Sequence, residues 1–564
     1  MEHFYTNERN HQIIISLLKS HNIKRIVVSP GTGNSVFVGS IQHDPFFEIF
    51  SCVDERSAAY LACGMALENN EPVVISCTGA TASRNYMSAA TEAYYSKLPI
   101  LILTSSQSSY SVGHLVAQVT DRSSPPPDTC RISLELPICN TEKDEWYCEI
   151  QANRALLELT RHGGGPVHIN LITSYSYNEK TAINQKSLPQ ARVLHRVTDA
   201  KDGPLVENKS VAVFVGSHKK WSSALIEAVE RFCERHNAVV FSDHTSNYQG
   251  KYRILYPLAI NQASINKANI PAYSVDILIH IGEVTGEEGA SRMIRSKETW
   301  RVSEDGEIRD YFRNLSYVFE MPEMDFFSYY SSQSGVNDVS FYHQCLNDYE
   351  KLQQQTLVNL ESMPFSNVWV ASRTAPLIPD GSSVVLGILN TLRTWNYFEF
   401  KRTVNVFSPV GGFGIDGASS LLLGASLTCP GRLFFCVTGD LAFFYDLNVL
   451  GNRHVGNNVR ILLINNGMGF EFKKCYAMAY RLLGDDVEPF VAAAGHFGKK
   501  SPLVVKHLAE DFGFEYLSAS NKEEFMCVLS RFTCPEIKDK PMLLECFVES
   551  EDESTALNLI HNRL

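Results

Sequence analysis

Residues 439–466, GDLAFFYDLNVLGNRHVGNNVRILLINN, decide the fold class of this chain. An apolar run leads into the Gly-Asp pair at the start, and a second apolar run leads into the Asn-Asn pair at the end. The segment between them, from Leu441 to Leu450, has a helical pattern, so the stretch predicts a strand–helix–strand unit. In such a unit the two strands are parallel and end at the same edge of one sheet.

Asp440 and Asn466 follow these two strands, so the predicted topology brings them together. Either dipeptide alone is typical of an ordinary turn or loop. At the ends of neighbouring parallel strands they favour a ligand site instead, because ligands of open α/β sheets bind there. A carboxylate, an amide oxygen and backbone carbonyls are hard oxygen ligands, which suit Mg²⁺ with phosphate oxygens in its remaining positions.

Composition excludes several other classes of protein. The 564 residues carry a net charge of −12 with no basic cluster, so we expect no nucleic-acid partner. No apolar run is long enough for a membrane span, and the N-terminus lacks the pattern of a secretory signal. The 14 cysteines include no CxxC pair, which favours buried thiols in a reducing compartment. We therefore expect a cytoplasmic protein.

Apolar strands alternate with helical segments along the whole chain, which predicts an α/β protein with three doubly wound parallel-sheet (Rossmann-like) domains. The predicted divisions are a first domain, a linker, a central domain, a connecting helix and a last domain, at residues 1–180, 181–209, 210–340, 341–361 and 362–564.

The first domain contributes an acid at a strand end. Glu55 lies where a predicted strand ends and a helix rich in small residues begins. Alone, it would be an exposed acid favoured by the helix dipole. Thr78 and Gly79 end the next predicted strand, and we expect them at the same edge of the sheet, which favours a binding role for this group.

Residues 411–417, GGFGIDG, form a glycine-rich turn before another helix. Such a turn lets the backbone approach a ligand closely and offers amide hydrogens to anions. It is not the G-x-G-x-x-G fingerprint, and no strand–loop–helix carries that fingerprint with a following acid, which speaks against a nucleotide-dependent dehydrogenase.

Taken together, these motifs resemble those of thiamine diphosphate-dependent 2-oxo acid decarboxylases and carboligases, in the same three-domain order. Within that superfamily they are most similar to the menaquinone-pathway SEPHCHC synthase family, which joins 2-oxoglutarate to isochorismate. The motifs that carry this likeness are Ser29-Pro-Gly31, Asp54-Glu-Arg56, Trp300-Arg-Val-Ser303, Gly414-Ile-Asp-Gly417, Gly439-Asp-Leu441 and Tyr445-Asp-Leu-Asn448.

The resemblance implies thiamine diphosphate and Mg²⁺ as cofactors and assigns residues to them. Asp440, Asn466 and the Met468 carbonyl would hold the metal ion. Glu55 of a partner subunit would hydrogen-bond the aminopyrimidine and act as the catalytic acid. The other cofactor-binding residues would be Thr78, Gly79, Asn390, Thr391, Leu392, Gly414, Ile415 (beneath the bent cofactor), Gly439, Leu441 and Ala442. The working unit would be a homodimer or homotetramer with active sites at the dimer interface.

The chain departs from the SEPHCHC synthase pattern where that family carries arginines. Gly33, Gln107 and Val410 stand at those positions, and none of them can bind a carboxylate as an arginine fork does. The sequence therefore predicts an enzyme that decarboxylates a small 2-oxo acid and passes the acyl anion to an aldehyde, a ketone or a proton. Candidate substrate contacts are Thr32, Gln118 and Phe470.

Two alternatives remain open. One is SEPHCHC synthase itself, with its arginines supplied from elsewhere in the chain. The other, from a different class, is a non-catalytic cofactor-binding protein on the same fold; the presence of Glu55 and Asp440 speaks against it.

Overall fold

A computed structural model describes residues 2–122, 124–207, 209–263, 273–287, 289–474, 476–496 and 500–561. The chain divides into two compact units. The first contains residues 1–197 and 306–318, and the second contains residues 198–305 and 319–564. The division into three domains stays a prediction. No helix within the described ranges is both long and apolar enough to span a membrane.

The first unit is built on a six-stranded sheet with all strands parallel, in the order β3-β2-β4-β5-β7-β6. The carboxyl ends of these strands therefore lie at one edge of the sheet, as in other open α/β sheets. Its strands are β1 (Tyr5–Thr6), β2 (Arg25–Val28), β3 (Glu48–Ser51), β4 (Val73–Thr78), β5 (Ile100–Ser106), β6 (Ser133–Leu136), β7 (Val167–Ile172), β8 (Ile183–Gln185) and β9 (His195–Val197). Its helices are α1 (Arg9–Ser20), α2 (Ser35–Ile41), α3 (Glu55–Asn69), α4 (Ala82–Asn85), α5 (Met87–Tyr95) and α6 (Glu142–Glu158).

The second unit contains five parallel strands in the order β12-β11-β10-β13-β14 and a separate six-stranded parallel sheet in the order β17-β16-β18-β19-β21-β20. The strands are β10 (Val211–Val215), β11 (Val239–Ser242), β12 (Arg253–Leu255), β13 (Tyr273–Ile281), β14 (Ile294–Ser303), β15 (Leu315–Glu320, which straddles the division), β16 (Ser383–Leu386), β17 (Asn405–Phe407), β18 (Phe434–Gly439), β19 (Val459–Asn465), β20 (Glu515–Ala519) and β21 (Met542–Phe547). The helices are α7 (Ser223–His236), α8 (Pro257–Ala263), α9 (Ala290–Met293), α10 (Glu323–Ser331), α11 (Ser340–Ser362), α12 (Asn367–Thr374), α13 (Asn390–Trp395), α14 (Ala418–Thr428), α15 (Asp440–Tyr445), α16 (Met478–Leu483), α17 (Val504–Asp511), α18 (Lys522–Phe532) and α19 (Ser550–Ile560).

The predicted α/β class with parallel sheets is confirmed. β18 and β19 are almost entirely buried, as expected for central strands covered on both faces. The helix between them is shorter than the sequence pattern predicts. α15 ends at Tyr445, and a 3₁₀ turn from Leu447 to Gly451 completes the connection.

A buried loop links the two sheets of the second unit. Asp243, just after β11, accepts hydrogen bonds from Thr285 Oγ1 (2.9 Å) and the Gly286 amide (3.1 Å). A Cβ added at Gly286 would lie 2.3 Å from Leu392 Cδ2, so the loop packs directly on α13. The next residue, Glu287, is only 3% exposed.

Burial of Glu287 raises the pKa of its carboxyl to about 8, from an ordinary value of 4.5. The positive charge of Arg393 and a hydrogen bond from Asn261 oppose this increase without cancelling it. The native state therefore keeps a proton between about pH 4.5 and pH 8 that the unfolded state has released. Stability falls as the pH rises through this window, because the unfolded carboxyl is ionised and must take up a proton when it is buried in the native state.

Glu287→Gln should remove this loss, since glutamine carries no ionisable proton. We expect the difference in melting temperature between the variant and wild type to increase steadily from pH 5 to pH 8.5. At the upper end the free energy of unfolding of the variant should exceed that of wild type by on the order of a few kcal/mol. Calorimetric scans across this range measure it. Glu227→Gln, at an exposed position of α7, is the control and should show no trend with pH. A constant difference between Glu287→Gln and wild type at every pH contradicts the prediction.

Candidate active site

The carboxyl ends of β18 and β19 bring together the two residues predicted to bind metal. Gly439 pairs with Ile464 in the parallel ladder, so Asp440 and Asn466 follow paired strand ends. Asp440 begins α15 and is 2% exposed, and Asn466 is 6% exposed. A carboxylate and an amide oxygen therefore lie buried at one edge of the sheet.

The loop after β19 folds back on Asn466. Gly467 adopts a left-handed conformation (φ 74°), and the Met468 amide donates to Asn466 Oδ1 over 3.3 Å. Glu553, on the buried face of α19, lies close to the Asn466 side chain, and burial raises the pKa of the Glu553 carboxyl to about 7. A side chain packed beside a candidate metal ligand limits the directions in which that ligand can point.

Glu553 was missed by the sequence analysis, although its position offers a signal. It lies on the same helical stripe as Ala556, Leu557 and Ile560, all of which are buried. A carboxylate in line with apolar residues at helical spacing indicates a buried acid with a specific partner.

The predicted diphosphate-binding residues begin α13. Leu389, just before the helix, is held in a left-handed conformation (φ 63°, ψ −123°), which is uncommon for a residue other than glycine. The side-chain oxygen of Asn390 is buried without a hydrogen-bond partner. An amide can turn about its terminal bond and present its NH₂ group instead, so this position can donate to phosphate oxygens. Thr391 and Leu392 are buried behind it.

Glycines leave open space around the same sheet edge. A Cβ added at Gly411, Gly412, Gly417 or Gly439 would meet no atom within 4 Å. Gly414, in contrast, lies against its own turn, because an added Cβ there would be 2.2 Å from Asp416 Oδ1. The open backbone and the unpaired amide of Asn390 fit a cofactor with a diphosphate group, since exposed peptide groups can approach such a ligand closely.

The glycine-rich turn is tied to α15 by Asp446. Its carboxylate accepts a hydrogen bond from the Ser420 amide (2.6 Å) and another from the Ser420 hydroxyl, in the first turn of α14. Asp446 is 3% exposed and follows α15, which begins with Asp440. This link joins α14, which follows the turn that carries the half-buried Ile415, to the end of the helix that begins with Asp440.

A buried ion network follows the loop after β19. Glu471 pairs with both Arg393, from α13, and Lys474, whose Nζ lies 2.7 Å from Glu471 Oε2. Phe470, predicted to contact substrate, is 2% exposed and lies in this packed segment. Leu441 and Ala442, in the first turn of α15, are half-buried.

In the first unit, Glu55 is the first residue of α3 and accepts a hydrogen bond from Asn85 Nδ2 (2.9 Å). β3 and β4 both flank β2 in parallel, so Thr78, the last residue of β4, and Glu55, just beyond β3, lie at the same edge of the sheet, as predicted. The sequence analysis missed Asn85. It lies in α4, the short helix that follows Gly79, and that position is the signal that could have found it.

Arg122 lies over the end of β4. A Cβ added at Gly79 would be 2.2 Å from Arg122 Nη1, so only glycine leaves room for the guanidinium group. Arg122 Nε and Nη1 are buried without hydrogen-bond partners, and burial lowers the pKa of this group. A desolvated positive charge at this edge was not predicted from sequence.

Two of the three predicted substrate residues belong to one region of the first unit. Tyr175 donates its hydroxyl hydrogen to Gln118 Oε1 over 2.8 Å. Tyr175 and Thr32 both line a cavity of about 420 Å³. The third predicted substrate residue, Phe470, belongs to the second unit.

The donor set at the sheet edge limits the kind of metal. Across the described ranges, no group of three or more His, Cys, Asp or Glu side chains could hold a metal ion. The candidate set is one carboxylate with amide and carbonyl oxygens, which suits Mg²⁺ and leaves positions for phosphate oxygens.

Comparison with known proteins is consistent with this geometry. Residues 9–124 match the model of the thiamine pyrophosphate enzyme N-terminal TPP-binding domain. The chain is 28% identical to 2-succinyl-5-enolpyruvyl-6-hydroxy-3-cyclohexene-1-carboxylate synthase of Phocaeicola vulgatus, over 99% of each protein. It is 28% identical to the Bacteroides fragilis protein of that name, over 99% of this chain and 100% of the relative. It is 24% identical to the Flavobacterium johnsoniae protein of that name, over 90% and 91%. The chain therefore contains a segment that matches the thiamine pyrophosphate enzyme N-terminal domain, and over nearly its whole length it is similar to the SEPHCHC synthases.

Proposed function

We propose that this enzyme uses thiamine diphosphate and Mg²⁺ to decarboxylate a small 2-oxo acid and to transfer the acyl group to an aldehyde or ketone. The observation that carries the proposal is the sheet edge of the second unit. There, Asp440 and Asn466 follow paired strand ends beside glycines with open space around them.

The second unit holds the charged end of the cofactor. Asp440, the Asn466 side chain and the Met468 carbonyl would hold Mg²⁺, and Glu553, close to Asn466, would limit how its amide can turn. Ile415 would support the cofactor from the glycine-rich turn. The residues that would hold the diphosphate are Asn390, Thr391, Leu392, Gly414, Gly439, Leu441 and Ala442.

Glu55 holds a proton at the ring end. When bound, the cofactor supplies the electron sink for decarboxylation, and the protein supplies position and charge. Glu55 would hydrogen-bond the aminopyrimidine, with its carboxylate oriented by the hydrogen bond from Asn85, and Thr78 and Gly79 would help to hold the ring. The donor's carboxylate leaves as CO₂. The electron pair of the broken bond forms a new bond to the acceptor's carbonyl carbon, whose oxygen then takes up a proton.

The working enzyme is a homo-oligomer in this proposal. Apolar side chains are exposed on α3, which begins with Glu55, and on α14, which follows the glycine-rich turn. They are Tyr60, Leu61 and Leu67 on α3 and Leu421 and Leu427 on α14. Large exposed apolar side chains on one helix favour a protein interface. A partner subunit that covers them brings a second Glu55-bearing helix to the assembly.

SEPHCHC synthase activity is the second candidate, and the comparisons favour it over the broader function, because relatives of that name match the chain over nearly its whole length. Against it stand Gly33, Gln107 and Val410, which cannot bind carboxylates as arginines do. CO₂ release from a panel of 2-oxo acids, with isochorismate or simple aldehydes as acceptors, separates the two. Turnover confined to 2-oxoglutarate with isochorismate selects the second candidate, and no CO₂ release from any acid contradicts both.

Glu55→Gln should keep cofactor binding within a few-fold but lower CO₂ release about 10²–10⁴-fold, because glutamine cannot hold the proton. Titration calorimetry and a CO₂ assay measure the two effects. Glu68→Gln, at the exposed end of α3, is the matched control. Wild-type turnover in Glu55→Gln refutes the assigned role.

Asp440→Ala should weaken Mg²⁺-dependent binding of thiamine diphosphate about tenfold or more, since the site loses its only predicted carboxylate ligand. The loss should shrink as Mg²⁺ is raised. Calorimetric titrations at several Mg²⁺ concentrations measure it, with Asp511→Ala, an exposed acid of α17, as control. Unchanged affinity at low Mg²⁺ removes Asp440 from the site.

Leu421→Glu combined with Leu427→Glu should split the oligomer, because the charges would be buried against the partner. Light scattering after size exclusion measures the mass, and CO₂ release should fall with it. Leu205→Glu, at an exposed position outside both helices, should leave the mass unchanged. A wild-type mass in the double variant contradicts the α14 interface.

A further inference from the structure

The first unit contains a cavity of about 420 Å³ between α2, the segment after β7, and β8. This volume lies within the range of small-molecule sites. Seven of the ten described residues lining it carry hydroxyl groups, and none of the ten carries a charge. The ten are Thr32, Ser35, Val36, Thr173, Tyr175, Ser176, Tyr177, Thr181, Ala182 and Ile183.

Most of these hydroxyl hydrogens are already donated to protein acceptors. The bonds run from Ser35 Oγ to the Thr32 carbonyl (2.7 Å), from Thr173 Oγ1 to Glu8 Oε1 (3.0 Å), from Tyr175 OH to Gln118 Oε1 (2.8 Å) and from Thr181 Oγ1 to the Ser176 carbonyl (2.9 Å). A hydroxyl group that has donated its hydrogen can only accept further hydrogen bonds. The wall is therefore rich in acceptors and suits a ligand that brings donors.

Tyr175 is held in place against local backbone preference. Its φ is 56°, in the left-handed region that a bulky residue rarely adopts. Its ring lies where a side chain at position 33 would be, because a Cβ added at Gly33 would be 3.2 Å from Tyr175 Cε2. The bond to Gln118 fixes the other end of the ring. Glycine at 33 and the Tyr175–Gln118 pair together shape one wall.

We propose that this cavity binds the acceptor as an uncharged compound with several hydroxyl groups, such as a hydroxylated ketone. The ligand's hydroxyl hydrogens meet the acceptor oxygens of the wall, and its carbon skeleton packs on Val36, Ala182 and Ile183. A carboxylate or phosphate brings only acceptors and a charge that no lining residue compensates, so the site rejects it. The role as acceptor site rests on the proposed carboligase function.

Three probes of similar size test the chemistry: erythrulose (neutral), threonate (anionic) and serinol (cationic). Ligand-observed NMR competition measures their binding to the full chain without cofactor. We expect erythrulose to bind about tenfold or more tightly than threonate, because the charge of threonate stays unpaired. Serinol should also bind more weakly, since no lining carboxylate receives its ammonium group. Absent erythrulose binding, or threonate or serinol binding as well as erythrulose, overturns the proposal.

Two variants test whether the ligand binds in this cavity. Tyr175→Phe removes one ordering hydrogen bond and should weaken erythrulose binding about fivefold. Ala182→Phe fills the cavity and should abolish it. Tyr147→Phe, an exposed phenol on α6, is the control and should bind as wild type. Erythrulose binding that neither variant changes, in folded protein as judged by melting temperature, overturns the location.

An assay of CO₂ release by the holoenzyme distinguishes a failure of the acceptor role from a failure of the proposed function. Erythrulose binding without CO₂ release from any 2-oxo acid overturns the acceptor role, because no acyl group is formed. CO₂ release with no C–C-bonded product from erythrulose, in an enzyme that binds it, overturns the acceptor role while the decarboxylase function stands. A product from erythrulose that Ala182→Phe no longer forms supports both.

Discussion

The parallel pairing of β18 and β19 is the constraint on which the candidate active site depends. Because Gly439 pairs with Ile464, the residues after each strand emerge at the same edge. A shift in this register would move Asn466 away from Asp440 and turn its side chain to the other face. The strands are buried on both faces, so a shift would also disturb the core of the sheet.

Groups from distant parts of the chain hold this edge in shape. Asp446 ties α14 and the glycine-rich turn to α15, and Glu553 reaches Asn466 from the last helix. Glu471, just after the loop that follows β19, joins α13 to Lys474. At least one end of each contact lies on an element that carries, or directly follows, a predicted cofactor residue. Several separate loops are thereby held as one rigid surface, as a precise ligand geometry requires.

The fold class could be predicted because strand and helix periods are local and the motifs lie at strand ends. The convergence of Asp440 with Asn466 follows from topology alone, and so does the shared edge of Glu55 and Thr78. The sequence marks Asn85 and Glu553 only by their positions and gives no sign of Arg122, because the contacts of all three depend on side-chain directions set by tertiary packing. The short α15 was missed for a related reason: its apolar pattern continues into a 3₁₀ turn with the same residue types.

Leu389 has a consequence for how the cofactor surface comes about. A left-handed backbone costs on the order of 1–3 kcal/mol at this position, because the residue is leucine and not glycine. That conformational penalty is met when the chain folds, before any ligand arrives. The turn that presents Asn390 is thus rigid from the outset, and association with a phosphate-bearing molecule needs little further loss of backbone freedom.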